Sequence, residues 1–339
     1  MRLEDYYNTK EILNYFKERE TTPLFGESLF PSDKIEAFDY DVILGSGGLP
    51  VSASVHALDT ETQMASRDAI ERGYGDLAFI KRQIKISEKD LQIIKTPRTN
   101  TEFDKAIAAI YDDAEKMRAA VETRVEAMRM ELISSGKLKI EENGVKVTVD
   151  YKLPSGNVKT FDWSIPASKP LDDIEELATA VEEQSGSRPT RMLTSRKIQK
   201  VLCANESVRK AIHGLDSDKT VTLGQLNGLL AEQELPVLVT YEAKYRVETA
   251  KGYKTVRFFP VDKISMFGDE TPGDTLYGLT PEELELIGDN TMETASMVGN
   301  IFVGSYKTPD PVATFTKACA TAMPTLPRGE ELGIATVKM

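Results

Sequence analysis

Histidine and cysteine carry much of the proton transfer, nucleophilic attack and metal ligation that proteins perform near neutral pH. This chain has few of either: His56 and His213, and Cys203 and Cys319, among 339 residues. Neither cysteine has another Cys or a His near it at metal-ligand spacing. Each lies in an apolar run, Val-Leu-Cys-Ala and Ala-Cys-Ala, as expected of a buried thiol kept reduced in a cytoplasm. His213 precedes Gly214, the position of a last-turn histidine at a helix end. Ser195, His213 and Asp216 include the residue types of a hydrolytic triad, but no nucleophile elbow surrounds the serine. Asp112-Asp113, Asp172-Asp173 and Glu282-Glu283 fit helix starts or solvated faces. Gly45-Ser46-Gly47-Gly48 lacks the Lys-Ser/Thr step of a phosphate cradle, and no dinucleotide fingerprint or zinc spacing is present. No catalytic residue, cofactor or metal is expected. What remains is the chemistry of charged and apolar surfaces.

The elements that carry those surfaces can be read from periodicity. Residues 1–33 form an arm, aromatic in residues 3–16 and then interrupted by Pro23 and Pro31. Residues 34–94 look strand-like but poor in apolar content, with Val51, Ala53 and Val55 alternating with polar residues. They suggest a long two-stranded excursion, which would be marginal in water unless it lies on another surface. Phe103, Ile107, Ile110, Ala114, Met117, Val121, Val125, Met128 and Leu132 recur in steps of three and four, predicting one long helix over residues 101–135. Thr101 and Asp104 can cap its start and Gly136 is placed to end it. Glu142-Asn143-Gly144 marks a hairpin turn, and residues 154–157 a second turn. Residues 168–290 alternate helix and strand, with helices opening at Pro170, Ser195 and Thr222 and one strand expected over residues 236–247. Residues 291–339 return to strands.

Bulk properties narrow the partners. The net charge is -12 and the pI is about 5.0. A protein that grips nucleic acid by its phosphates needs a basic stripe, so this chain could enclose nucleic acid but not wrap tightly around it. No secretory leader opens the sequence, and no apolar run reaches the roughly 18–20 residues that span a bilayer. A length of 339 residues suits two or three domains.

The order of arm, ribbon, long helix, hairpins, α/β lobe and returning strands resembles the Hong Kong 97-type capsid fold, and within it the lambda-type major capsid protein family of tailed bacteriophages. Residues 252–268, Gly-Tyr-Lys-Thr-Val-Arg-Phe-Phe-Pro-Val-Asp-Lys-Ile-Ser-Met-Phe-Gly, are similar to that family's hairpin, hydrophobic-Pro step and short strand ending in glycine. Pro23-Leu24-Phe25 and Gly299-Asn300-Ile301 are similar to it in placement. The resemblance implies a mixed α+β fold: N-arm (1–33), extended β-hairpin E-loop (34–94), P-domain with a spine helix (95–167 and 281–339) and α/β A-domain (168–280). It implies a structural role, not an enzymatic one. Copies would self-assemble into hexamers and pentamers of an icosahedral shell that encloses double-stranded DNA without reading its sequence. It implies virion localisation after assembly in the host cytoplasm, no membrane, a separate scaffolding protein, a portal at one vertex and a decoration protein on some shells. An encapsulin-like compartment shares the fold, and a two-lobed α/β enzyme or a tail-tube subunit are further alternatives.

On that footing two sets of residues gain a role. Arg67, Arg72, Lys81, Arg82 and Lys85 lie in the ribbon; Asp112, Asp113, Glu115, Glu122, Glu126 and Glu131 lie on the spine. They are candidates for contacts between subunits, each exposed pair worth about 0–1 kcal/mol but repeated over a whole shell. Gly45, Gly47, Gly48, Gly73 and Gly75 are candidate hinges for a ribbon that must swing. Arg188, Arg191, Arg196, Lys197 and Lys200 form a basic cluster that fits a solvated helix face, a neighbour across a capsomer, or DNA.

Overall fold

The computed structural model describes residues 9–18, 23–36, 39–44, 71–86, 96, 99–214, 219–288, 299–310 and 312–339. Its helices are α1 (Thr9–Glu18), α2 (Phe25–Leu29), α3 (Asn100–Ser135), α4 (Pro170–Ser185), α5 (Arg196–Ala204), α6 (Glu206–His213), α7 (Leu223–Glu232) and α8 (Pro281–Gly288). Its strands are β1 (Ser32–Lys34), β2 (Asp39–Leu44), β3 (Glu71–Asp76), β4 (Ala78–Ile86), β5 (Lys137–Glu142), β6 (Val145–Asp150), β7 (Val158–Asp162), β8 (Arg191–Thr194), β9 (Val237–Thr240), β10 (Lys244–Thr249), β11 (Gly252–Arg257), β12 (Lys263–Phe267), β13 (Thr275–Gly278), β14 (Phe302–Pro309), β15 (Val312–Pro324) and β16 (Gly333–Lys338). The mixed α and β content matches the sequence expectation. The chain divides into two units, one of Met1–Tyr40, Tyr74–Glu126 and Asp274–Pro324, the other of Asp41–Gly73, Ala127–Gly273 and Thr325–Met339.

The first unit is organised by β15. Along one side of it runs β4, antiparallel from Ala78 opposite Ala322 to Ile86 opposite Thr314. Along the other side lie β14, from Phe302 opposite Cys319, and then β13, from Gly278 opposite Thr321. β1 adds to β13 in parallel. Strand residues alternate faces, and Ala318, Ala320 and Ala322 all pack with Ala114, Met117, Val121 and Val125 of α3 and Ile12 of α1. Small strand side chains let the long helix approach the sheet closely. The predicted helical face is buried at Ile110, Ala114, Met117, Val121, Val125, Met128 and Leu132. At 1.5 Å per residue, α3 is about 50 Å long.

In the second unit a five-stranded sheet has the order β7-β16-β12-β8-β9. Ile174 and Leu177 of α4, Ile198 and Leu202 of α5, and Leu226 and Leu230 of α7 form one core with Met192, Leu238, Ile264, Met266, Ala335 and Val337 of the strands. The helix starts follow capping chemistry. Ser195 Oγ accepts from Ile198 N, Asn205 Oδ1 from Ser207 N, and Thr222 and Gln225 make a reciprocal capping box. Gly136 ends α3 at φ +66, where L side chains are strained. Asn143 and Gly144, both at positive φ, join β5 to β6 as a type I′ turn requires.

Two expectations are corrected. The single strand expected over residues 236–247 is two: β9 pairs with β8 in parallel, and β10 pairs with β11 as a separate hairpin. One apolar run of β-formers conceals the change of partner at Tyr241, Glu242 and Ala243. β2 and β3 pair with each other, but β4, read from sequence as the ribbon's return, joins the five-stranded sheet. Its Ile80, Ile84 and Ile86 supply one semi-buried face while Lys81, Gln83 and Lys85 stay exposed on the other. The alternation at Val51, Ala53 and Val55 lies outside the described residues.

Candidate functional site

A carboxylate taken out of water must be paired or hydrogen-bonded, and three in the first unit meet that condition by holding segments together. Glu126 of α3 is fully buried, and both its oxygens accept from the Gly26 N–H, at 2.9 and 3.1 Å. This fixes the start of α2 against the long helix. Glu283 is also buried. It accepts from the Thr280 N–H at 3.0 Å while Thr280 Oγ1 accepts from the Glu283 N–H at 3.3 Å, a reciprocal cap on α8. Its other oxygen takes Lys34 Nζ at 2.5 Å, and Lys34 also donates to Gly299 O at 2.8 Å. Thr275 N–H to Pro31 O (2.7 Å) and Ile35 N–H to Tyr277 O (2.7 Å) complete the attachment of β1.

Glu282 is the third. Burial pushes its carboxyl up, but hydrogen bonds from Lys317 and from Cys319 Sγ, the latter at 3.1 Å, outweigh burial and hold it below the usual glutamate value. Burial would lower the Lys317 ammonium, and Glu282 more than reverses that. The Cys319 thiol is driven well above its ordinary value by burial and then by Glu282, so it is a poor nucleophile.

The residues singled out by sequence fall as follows. Lys81, Arg82 and Lys85 are exposed on β4. Lys81 and Lys317 lie over the ring of Phe79, 5.4 and 5.8 Å from its centroid, on a face that also exposes Tyr306. Asp112 and Asp113 share Lys116, at 2.6 and 3.6 Å, and Glu122 takes Arg118 at 2.9 Å. These are pairs within α3, exposed to solvent and weakened by its screening. Glu115 accepts from the Tyr15 hydroxyl of α1, and Glu131 from the Lys139 N–H at 3.1 Å. Glu126, buried against Gly26, is enclosed by its own subunit. Arg72, Gly73 and Gly75 lie in β3. Arg67, Gly45, Gly47 and Gly48 lie outside the described residues, as do His56 and Asp216.

Of the basic cluster in the second unit, Arg188 is bound to Glu175 and Glu182 at 2.8 and 2.7 Å, and Arg191 to the carbonyls of Gly268, Asp269 and Glu270. Arg196, Lys197 and Lys200 are exposed. Sequence reading did not connect them with the β10–β11 hairpin. Glu242 makes that connection, accepting the Arg196 N–H at 2.6 Å and pairing with Arg257. Burial pushes the Glu242 carboxyl up, but these partners outweigh it and hold the group below its ordinary value. The return of the chain across Ala250-Lys251-Gly252 is legible in the sequence, and the signal that could have tied it to the basic cluster was its five cations, Lys244, Arg246, Lys251, Lys254 and Arg257, in an acidic chain.

Ser195 Oγ donates to Val261 O at 2.6 Å and caps α5, so its hydroxyl is committed to structure. His213 Nε2 is buried without a hydrogen-bond partner among the described residues. No group of three or more His, Cys, Asp or Glu among the described residues could hold a metal ion. None of the described helices is long and apolar enough to cross a membrane.

The profile of the phage major capsid protein E family matches residues 8–337. The fold is similar to that of a protein assigned as the capsid protein of a prophage of Escherichia coli CFT073, at TM-score 0.64 and 16% identity over 97% of this chain and 99% of that one. It is also similar to a phage-related protein from Bordetella bronchiseptica RB50, at TM-score 0.56 and 12% identity over 99% of this chain and 97% of that one. No curated protein sequence matches the chain significantly.

Proposed function

The chain belongs to the phage major capsid protein E family and has the Hong Kong 97-type capsid fold, so it is a shell protein of a phage capsid; from that premise we propose how its copies make the shell. They associate into hexamers and pentamers, which close into an icosahedral head around packaged double-stranded DNA. Assembly takes place in the host cytoplasm. The role is architectural, without catalysis or a cofactor. The observation that carries this reading is the family match over residues 8–337, almost the whole chain. The net charge of -12 supports enclosure of DNA without sequence-specific grip.

Residues 1–33 act as the N-arm and 34–94 as the E-loop, residues 95–167 and 281–339 as the P-domain, and 168–280 as the A-domain. Arg67, Arg72, Lys81, Arg82 and Lys85 meet acidic groups of neighbouring copies, with Asp112, Asp113 and Glu122 among the acceptors. The exposure of Lys81, Arg82 and Lys85 supports their part in this. Gly45, Gly47, Gly48, Gly73 and Gly75 let the ribbon swing during maturation. A separate scaffolding protein guides closure, a portal occupies one vertex, and the outer surface can take a decoration protein.

Negative-stain microscopy of the purified protein, with and without a candidate scaffold, tests the reading. Rings of five and six, or closed shells tens of nanometres across, are expected. A compact monomer under every condition would overturn it.

A further inference from the structure

The second unit carries two surfaces of opposite charge. On the β10–β11 hairpin, the register places Lys244, Arg246 and Arg257 on one face with Tyr253. Arg246 lies over the Tyr253 ring, 6.0 Å from its centroid. Through Glu242 this face adjoins the first turns of α5, where Arg196, Lys197 and Lys200 are exposed. Lys197, Lys200 and Lys244 have no ion-pair partner among the described residues. Glu242, paired with Arg257, and Glu248, opposite Tyr253, are the acids of this ridge, and its cations outnumber them in a chain of net charge -12.

α4 carries the complement. Asp172, Glu176 and Glu183 are exposed and spaced by four and seven residues, which puts them in one stripe of the helix. Among the described residues the ion pairs of Asp172 and Glu176 are with Lys169, at 3.1 Å, and Lys159. Glu183 has no ion pair among the described residues. α4 packs against β16, next to the edge strand β7, whereas the hairpin follows β9, the edge strand at the other end of the sheet. Complementary surfaces on separate elements of one unit are what a head-to-tail contact between copies requires, and such a contact gives a ring when its rotation closes.

We propose that, in a ring of copies, the basic ridge of one subunit docks on the acidic α4 stripe of the next. The inference rests on the capsid reading and names one contact within it. A second copy fits the ridge better than nucleic acid does. The ridge face of the hairpin exposes the Tyr253 ring, at 67%, beside its cations, and apolar surface of this kind gains nothing from phosphates. A two-stranded ribbon is also marginal in water without a covering surface.

A charge swap tests the contact. Lys197→Glu, Lys200→Glu and Lys244→Glu are combined in one full-length variant, and Asp172→Lys, Glu176→Lys and Glu183→Lys in a second. A third carries all six. Circular dichroism establishes that each is folded, and sedimentation measures the fraction in rings and shells. Each half-swap is expected to lower that fraction about tenfold or more at matched concentration, and the full swap to restore it. If a half-swap unfolds, the Lys→Gln set and the Asp→Asn, Glu→Gln set replace it, with a smaller loss expected in each. Wild-type assembly by the ridge-reversed variant would overturn the inference, as would a full swap no better than the half-swaps. Normal shells that retain less DNA would overturn it too, and reassign the ridge to DNA. Failure of the wild type itself to form rings or shells is a different result, which removes the capsid reading.

Discussion

At the scale of single residues, the buried acids matter more to this chain than its exposed ones. Glu126→Ala would leave the Gly26 N–H without its acceptor inside the first unit. A buried donor left unsatisfied costs about 1–3 kcal/mol, so urea unfolding should show a midpoint lowered to that extent with an unchanged slope. Glu242 gives the pH dependence. Its carboxyl is held below the usual value of 4.5 in the folded chain, after burial is outweighed by Arg257 and the Arg196 N–H. A folded value below the unfolded one means that its stabilisation is present above pH 4.5 and is lost as pH falls through the folded value. Glu242→Gln should therefore destabilise by about 1 kcal/mol at neutral pH, and the gap from wild type should close on acidification. Thermal unfolding from neutral pH down to pH 3 reads both effects; a gap that widens toward acid would show the sign to be wrong. Neither acid stood out in the sequence as a holding group. The sequence offers Glu126 as a candidate contact between subunits, because periodicity places a residue on a helix face but does not say which segment, here Gly26, comes to cover it. Glu242 lay unnoticed in a run of β-formers.

At the scale of elements, the long helix and its stop were legible because 3.6-residue periodicity and a positive-φ glycine are local signals. Gly136 sits at φ +66, and a Cβ there would lie 2.4 Å from Leu153 Cδ1. Gly136→Ala thus combines left-handed strain of about 1–2 kcal/mol with overpacking of about 1–3 kcal/mol. A loss of about 2–5 kcal/mol is expected in denaturant unfolding, whereas Gly144→Ala, with open space around its Cβ, should lose less. The Asn143-Gly144 turn and the caps at Ser195 and Thr222 were legible for the same local reason. Strand partners were not. Period two marks β4 as a strand with one apolar face, but the same pattern suits a free ribbon and a sheet member alike. The decision comes from β15, more than two hundred residues away, whose alanines let α3 close over both strands. The split of residues 236–247 into β9 and β10 was hidden likewise, since the hydrophobic pattern runs on while the hydrogen-bond partner changes.

At the scale of the whole molecule, assembly sets two electrostatic effects against each other, and salt separates them. Copies of net charge -12 repel one another, and added salt relieves that repulsion. If the ridge and the α4 stripe meet, salt also weakens their attraction. The distances decide which prevails. The Debye length is about 10 Å at 0.1 M salt and 3 Å at 1 M. Repulsion between whole subunits acts over tens of ångströms and is already largely screened at 0.1 M, so little remains to be relieved. Ion pairs in contact, on the order of 3–4 Å, and partly shielded from water by the hairpin, survive at 0.1 M and lose most between there and 1 M. Wild-type assembly should therefore decline as sodium chloride rises across that range, as followed by light scattering at fixed protein concentration. The ridge-reversed variant should respond oppositely, since salt would then screen a repulsive contact, and the six-residue swap should regain the wild-type slope. A wild type that assembles better with every increment of salt would mean that subunit repulsion dominates and that apolar contacts, not the ridge, hold the ring.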